Sequence, residues 1–202
     1  MMHKIRFLAI VMATSILSGC AFTVHETPVG YVYTTPSELN RAPAGINIVV
    51  KDVRDVRTVS DPRIISHLVN GNGQTTTGGF AAEKPVSEIV KEGIEQALKT
   101  AGYSPSETEI DLNANLIDYT YDAVSGAWSV NKVTAKMEMS VELLMGNEKI
   151  LKNTVIGKHE MLKDEIKGKN NKELITELFS KTLDDTISQL VEVVNIAARN
   201  RY

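Results

Sequence analysis

Residues 128–145 read WSVNKVTAKMEMSVELLM. Within this stretch Val133, Ala135, Met137, Met139, Val141 and Leu143 alternate with Thr134, Lys136, Glu138, Ser140 and Glu142. Successive side chains of a strand point to opposite faces, so a period of two predicts a strand with one covered face and one wetted face. Gly146-Asn147 then reads as a tight turn, and Ile150 to Lys158 as the returning strand. Upstream, Glu109 to Tyr121 repeats the pattern, with Ile110, Leu112, Ala114 and Leu116 set against Asp111, Asn113 and Asn115. Strands joined by short turns run antiparallel.

Two helices flank these strands. In Pro85 to Ala101, Val86, Ile89, Val90, Ala97 and Leu98 fall on one face, and Glu88, Lys91, Glu92, Glu95 and Lys99 on the other. Pro85 suits the first turn and Gly102 the position just past the end. From Asn171 to Ala198 apolar residues recur every three or four, from Leu174 and Ile175 through Leu183 and Ile187 to Val194. A further strand is expected where Ile46, Ile48, Val50 and Val53 run into a charged segment.

The fold expected is therefore α+β: a four-stranded antiparallel sheet with two helices packed on one face, in the order β-α-β-β-β-α. The polar face carries Asp111, Asn113, Asn115, Lys136, Glu138 and Glu142. A short apolar piece spans Ile64 to Val69. Asn70 to Phe80, with four glycines and three threonines, reads as a loop or hairpin tip. No Gly-Lys-Ser/Thr follows those glycines, so they do not form a phosphate cradle.

The chain has 202 residues and begins with a targeting segment. His3, Lys4 and Arg6 precede an apolar run from Phe7 to Leu17, which is the length of a signal-peptide core and too short to span a bilayer. The run ends in Leu17-Ser18-Gly19-Cys20, and Cys20 is the only cysteine. Residues 1–19 are expected to be removed. Residues 20–44, with Pro28, Pro36 and Pro43, are expected to form a tether, and residues 45–202 a single domain. A flexible chain of the tether's length spans roughly 25–30 Å. The whole chain carries a formal charge of −3; losing Lys4 and Arg6 makes it −5. That balance argues against nucleic acid as a partner.

Leu17-Ser18-Gly19-Cys20 resembles the lipobox of bacterial lipoproteins. The resemblance implies cleavage between Gly19 and Cys20, a diacylglyceryl group on the Cys20 sulfur, and anchorage in a lipid bilayer. One acyl chain anchors only marginally, which is why such proteins carry several. Ala21, in place of an aspartate, implies the outer membrane of a Gram-negative cell, facing the periplasm. With Asp52-Val53-Arg54 ending the first strand and Ala101-Gly102-Tyr103 ending the first helix, the chain resembles the YajG family of bacterial lipoproteins. The long Gly/Thr loop and the length of the last helix depart from that pattern. The layout is also similar to the amino-terminal regions of TolB and to transport-auxiliary lipoproteins. The family resemblance implies an envelope protein and no particular reaction.

The residues themselves offer no catalytic set, no metal site and no cofactor motif. His25, His67 and His159 lack metal-ligand spacing, and each reads as a surface histidine; no Gly-x-Ser-x-Gly elbow occurs. Asp184-Asp185 and Asp164-Glu165 read as solvated charge. Asp52, Arg54, Asp55 and Arg57 share strand faces in pairs, and read either as an ion-paired strand end or as a docking patch for a partner. Tyr103, Tyr119, Tyr121 and Trp128 read either as core edge or as a partner groove. The function expected is a non-catalytic, membrane-anchored envelope lipoprotein that binds or scaffolds an envelope protein. The alternative is a ligand-carrying or transport-auxiliary lipoprotein with an apolar slot between sheet and helices.

Overall fold

A computed structural model describes residues 24–29, 41–69, 75–125 and 130–201. The elements are β1 (Val24–Thr27), β2 (Ile46–Asp55), β3 (Ile64–Val69), β4 (Thr75–Ala82), α1 (Val86–Ala101), β5 (Thr108–Ser125), β6 (Val130–Met145), β7 (Glu148–Leu162), the single turn α2 (Lys163–Ile166) and α3 (Asn171–Arg199). Gly19 and Cys20 lie outside the described residues.

The α+β class holds, but the expected antiparallel sheet and element order need correction. The main sheet has the order β2-β5-β6-β7 and is mixed. β5, β6 and β7 form an antiparallel meander, whereas β2 pairs with β5 in parallel, from Ile46↔Thr108 to Asp55↔Leu116. The reason is the connection. No short turn joins β2 to β5; the chain passes through β3, β4 and α1 first, and a strand reached by a crossover returns parallel.

A second sheet, β1-β4-β3, was not anticipated. β4 is its centre, parallel to β1 and antiparallel to β3. The Gly/Thr segment expected as a loop is thus strand from Thr75 onward. β1 falls inside the stretch expected as tether, and Val29 and Ala42 pack on the core while the Ala42 amide donates to the Ala101 carbonyl at 2.7 Å.

Both long helices lie against the apolar face of the main sheet, α1 over β2 and α3 over β6 and β7. Between them Leu112, Leu116, Met137, Met139, Phe179 and Leu183 are fully buried. The second sheet adds Ile65, Phe80 and Ala82 to the same core. α3 starts with a reciprocal cap: the Glu173 amide donates to the Asn170 side chain at 3.0 Å, and the Asn170 amide donates to the Glu173 carboxylate at 3.1 Å. Tyr103, just past α1, donates its hydroxyl to Asn195 Oδ1 of α3 at 2.6 Å inside the core. The opposite face of the sheet is laced with polar contacts such as Asn115 Nδ2 to Ser140 Oγ at 3.1 Å and Lys136 to Glu138 at 3.0 Å.

One position fixes how closely α3 seats. A Cβ on Gly157 of β7 would stand 2.1 Å from Thr186 Oγ1 and 2.7 Å from the Thr182 carbonyl oxygen. The two threonines keep the helix surface low and donate their hydroxyls to carbonyls one turn back, at 2.7 Å each. A methyl group here meets backbone and must push α3 off β7. Gly157→Ala is expected to lower stability by about 3 kcal/mol in urea unfolding, the upper part of the range for overpacking.

Candidate binding cleft between the two sheets

β2 is shorter than the strand it pairs with. Its ladder with β5 ends at Asp55↔Leu116, followed by the Val56 amide donating to the Leu116 carbonyl at 3.0 Å. β5 runs on to Ser125, and from Ile117 its outer edge has no ladder partner among the described residues. Across the gap stands β3, the edge strand of the other sheet. Two strand edges thus face a common space.

A bulge sets what lines that space. The β5–β6 register slips between Leu116 and Asp118, leaving Ile117 as an extra residue, 37% exposed. The inward alternation therefore jumps from Leu116 to Tyr119 and Tyr121, because a bulge re-aims the side chains beyond it. Tyr119 packs edge-on against Phe179, with ring centroids 5.2 Å apart at 74°. Burial pushes both tyrosine hydroxyls above their usual pKa, so each is a neutral donor and acceptor.

Asp55 and Arg57 close the inner end. Arg57 Nε and Nη2 donate to the two Asp55 oxygens at 2.8 and 2.6 Å, and Arg57 Nη1 donates to the Ile64 carbonyl at 3.0 Å. The side chains are only 5% and 8% exposed. This fork pins the end of β2 to the start of β3 and places a covered ion pair under the cleft. On the β3 side, His67 sits opposite Gly79 of β4. A Cβ on Gly79 would stand 2.1 Å from the Ser66 carbonyl oxygen, so glycine there lets β4 press against Ser66-His67.

The result is a half-open cleft of about 240 Å³ walled by Arg57, Ser66, His67, Tyr119, Tyr121 and Asp122. The Tyr119 hydroxyl and His67 Nδ1 are buried and have no hydrogen-bond partner among the described residues. Buried polar atoms are nearly always satisfied, so two orphans on one cleft mark a place where a partner's polar groups fit. The volume lies below the usual range for drug-sized or lipid ligands and suits a short extended segment.

The charged run expected as a docking patch divides into two environments. Asp52 and Arg54 pair in the open at 2.5 Å, with side chains 44% and 72% exposed, while Asp55 and Arg57 are covered. Asp52 and Arg54 lie on the open surface, whereas Arg57 is reached only as part of the cleft wall. The histidines are not uniformly superficial. His25 lies against Phe80 with centroids 5.7 Å apart, and His159 Nδ1 sits 3.9 Å from Asp185, its Nε2 buried and unpartnered among the described residues. Asp185 is thereby part of a packed contact, and burial raises its pKa. Trp128 lies outside the described residues, and Tyr103 belongs to the core. No group of His, Cys, Asp or Glu among the described residues is arranged to hold a metal ion.

Ser66, His67 and Tyr119 as one site were not evident from sequence. The available signal was the interruption at Leu116-Ile117-Asp118-Tyr119, where two residues separate apolar or aromatic positions instead of one. A separate apolar groove of about 390 Å³ opens at the far end of the domain between Ile150, Leu151, Val193 and Ile196.

No family model and no curated protein matches the sequence. Among solved structures, the chain is similar to a Xanthomonas campestris protein of the DUF330 family, with a TM-score of 0.61 at 12% identity over 89% of this chain and 98% of that one. A minor lipoprotein of Acinetobacter baumannii gives a TM-score of 0.40 at 12% identity, covering 77% of this chain and 96% of that one. A rare lipoprotein B of Shewanella oneidensis gives 0.34 at 11%, covering 75% and 97%. The first comparison shows a shared fold; the other two are too distant to carry an argument.

Two buried tyrosines separate packing from binding. Tyr103→Phe removes a made hydrogen bond and strands Asn195, and is expected to cost about 1–2 kcal/mol in urea unfolding. Tyr119→Phe removes an unmade one and is expected to leave stability unchanged or raise it by up to about 1 kcal/mol. A loss on Tyr119→Phe as large as that on Tyr103→Phe would show the hydroxyl to be satisfied within the domain.

Proposed function

We propose that this chain is an acylated lipoprotein of the bacterial envelope whose domain is a non-catalytic module, binding an envelope protein at the cleft between β3 and β5. The observation that carries the binding role is the β5 edge beyond Leu116, open among the described residues and flanked by a Tyr119 hydroxyl and a His67 Nδ1 that have no partner among them. An extended segment of the partner adds to such an edge through its main chain, and the cleft walls read its side chains.

Anchorage is supported by Leu17-Ser18-Gly19-Cys20 behind its charged and apolar leader. Among the described residues no helix is long and apolar enough to cross a membrane. Residue Ala21 supports the outer membrane, with the domain in the periplasm, and the resemblance to the YajG family supports the same address. The ligand-carrying alternative has one observation of its own, the apolar groove beside Ile196, whose size falls within the usual range for small ligands.

A photo-reactive amino acid at Thr120, exposed on the free stretch of β5, is expected to give one discrete crosslinked species in intact cells, lost on Tyr119→Phe. Diffuse labelling unaffected by that substitution would remove the cleft from consideration. Cys20→Ala is expected to move the protein out of the membrane fraction into the soluble or unprocessed pool. Unchanged fractionation would contradict anchorage, and a co-purifying lipid lost on Ile196→Asp would favour the alternative.

A further inference from the structure

We infer that the end of the domain formed by β1 and the segment Leu162–Lys172 rests directly on the phospholipid headgroups. The inference depends on the acylation of Cys20 proposed above. Val24, the first residue of β1, is four positions beyond Cys20. Four residues reach at most about 14 Å when fully extended. The folded domain is several times longer, since β5 alone has 18 residues rising about 3.3 Å each. The end that carries Val24 is therefore held at the bilayer, and the side chains around it meet headgroups.

Those side chains are identifiable. Val24, His25 and Glu26 share one shallow surface with Asn170, Asn171 and Lys172. Thr27 Oγ1 lies 2.6 Å from Thr176 Oγ1, which fixes β1 to the first turns of α3. Leu174 of α3 packs with Val133 and Met161, so this is also the end where β7 finishes and α2 begins. The far end is marked by the Gly146-Asn147 turn and by the pairing of Arg201 with Glu148.

The charge at the near end is opposite to that of the molecule. Leu162–Lys172 contains four lysines and two acids, in a mature chain whose formal charge is −5. Lys163, Lys167 and Lys172 are exposed and have no ion-pair partner among the described residues. Beside them Lys132 and Lys169 are each paired. The Glu165 carboxylate is engaged, accepting from the Leu162 amide at 2.9 Å. Leu162 and Val24, 54% and 38% exposed, add apolar contact at the same end. Unpaired ammonium groups with apolar neighbours, set beside the acyl attachment point, match the phosphates and upper acyl region of a bilayer.

The test uses the acylated protein purified from its own membranes and reconstituted in vesicles of phosphatidylethanolamine with phosphatidylglycerol. Lysine acetylation rates are read by mass spectrometry in vesicles and in neutral detergent. Lys163, Lys167 and Lys172 are expected to react at least about fivefold more slowly in vesicles, with Lys152, exposed near the far end, unchanged. In the combined variant Lys163→Glu, Lys167→Glu, Lys172→Glu, vesicle protection of the residue 162–172 amides from hydrogen exchange is expected to disappear while the protein still floats with vesicles. Equal slowing of all four lysines, or none, would overturn the inference while leaving anchorage intact. An intact mass lacking acyl chains would overturn both.

Discussion

The seating of α3 on β7 governs the rest of the molecule. This helix of 29 residues covers β6 and β7, touches α1, and at its first turns holds β1 through Thr27 and Thr176. Its distance from the sheet is set by contact between backbones, with Gly157 on one side and Thr182 and Thr186 on the other. Because protein interiors do not absorb an added methyl without displacement, that contact fixes the height of the helix layer along the whole sheet. The interior of Met137, Met139, Leu143, Phe179 and Leu183 is filled to that height. A lipid lodged between the sheet and both helices would have to lift α3 off this contact.

The same rigidity explains why imperfection collects at the junction of the two sheets. β5 is long enough to serve β2 at one end and overhang at the other, and the Ile117 bulge turns Tyr119 and Tyr121 inward on the overhang. Among the described residues the second sheet reaches this overhang without pairing with it. Instead the Asp55–Arg57 fork spans the gap and donates to Ile64. A covered ion pair costs desolvation that its own attraction offsets only with good geometry and further hydrogen bonds, and the fork has both. Among the described residues the Tyr119 hydroxyl and His67 Nδ1 have no such compensation. Polar atoms left so are destabilising for the isolated domain, which gives the cleft its weight as a place where something else supplies the missing bonds.

What was legible in the sequence follows from periodicity. The meander β5-β6-β7 and the helices α1 and α3 were readable because each keeps one period over many residues, and each buries the face that period marks. β2 was found as a strand, but its direction was not, because direction depends on the path of the intervening chain. β4 was read as loop because its glycines and threonines show no alternation; its order comes from strands on both sides and from the close approach at Gly79. Four-residue β1 is too short to carry any period. The cleft was the least legible part. Asp55 and Arg57 were marked as a pair, but nothing local indicates that β3 covers them, and Tyr119 reaches the cleft only because of a bulge.

The short strand β1 ties these parts together. Its register sets Val24 opposite Gly79, and Gly79 opposite His67, so the strand nearest Cys20 in sequence is two hydrogen-bonded steps from one wall of the cleft. The three-stranded sheet is small, and small sheets are the low-stability units of a fold unless other elements brace them. Here the braces are the burial of Ile65, Phe80 and Ala82 in the main core, together with Arg57 to Ile64, the Val86 amide to the Pro62 carbonyl, and Thr27 against Thr176. A load on the amino terminus reaches β4 and β3 before it reaches the main core. A partner strand bound against β3 and β5 would brace the same sheet from its open side. The anchorage and the binding proposed above would therefore act on one small element, each bracing the surface on which the other depends.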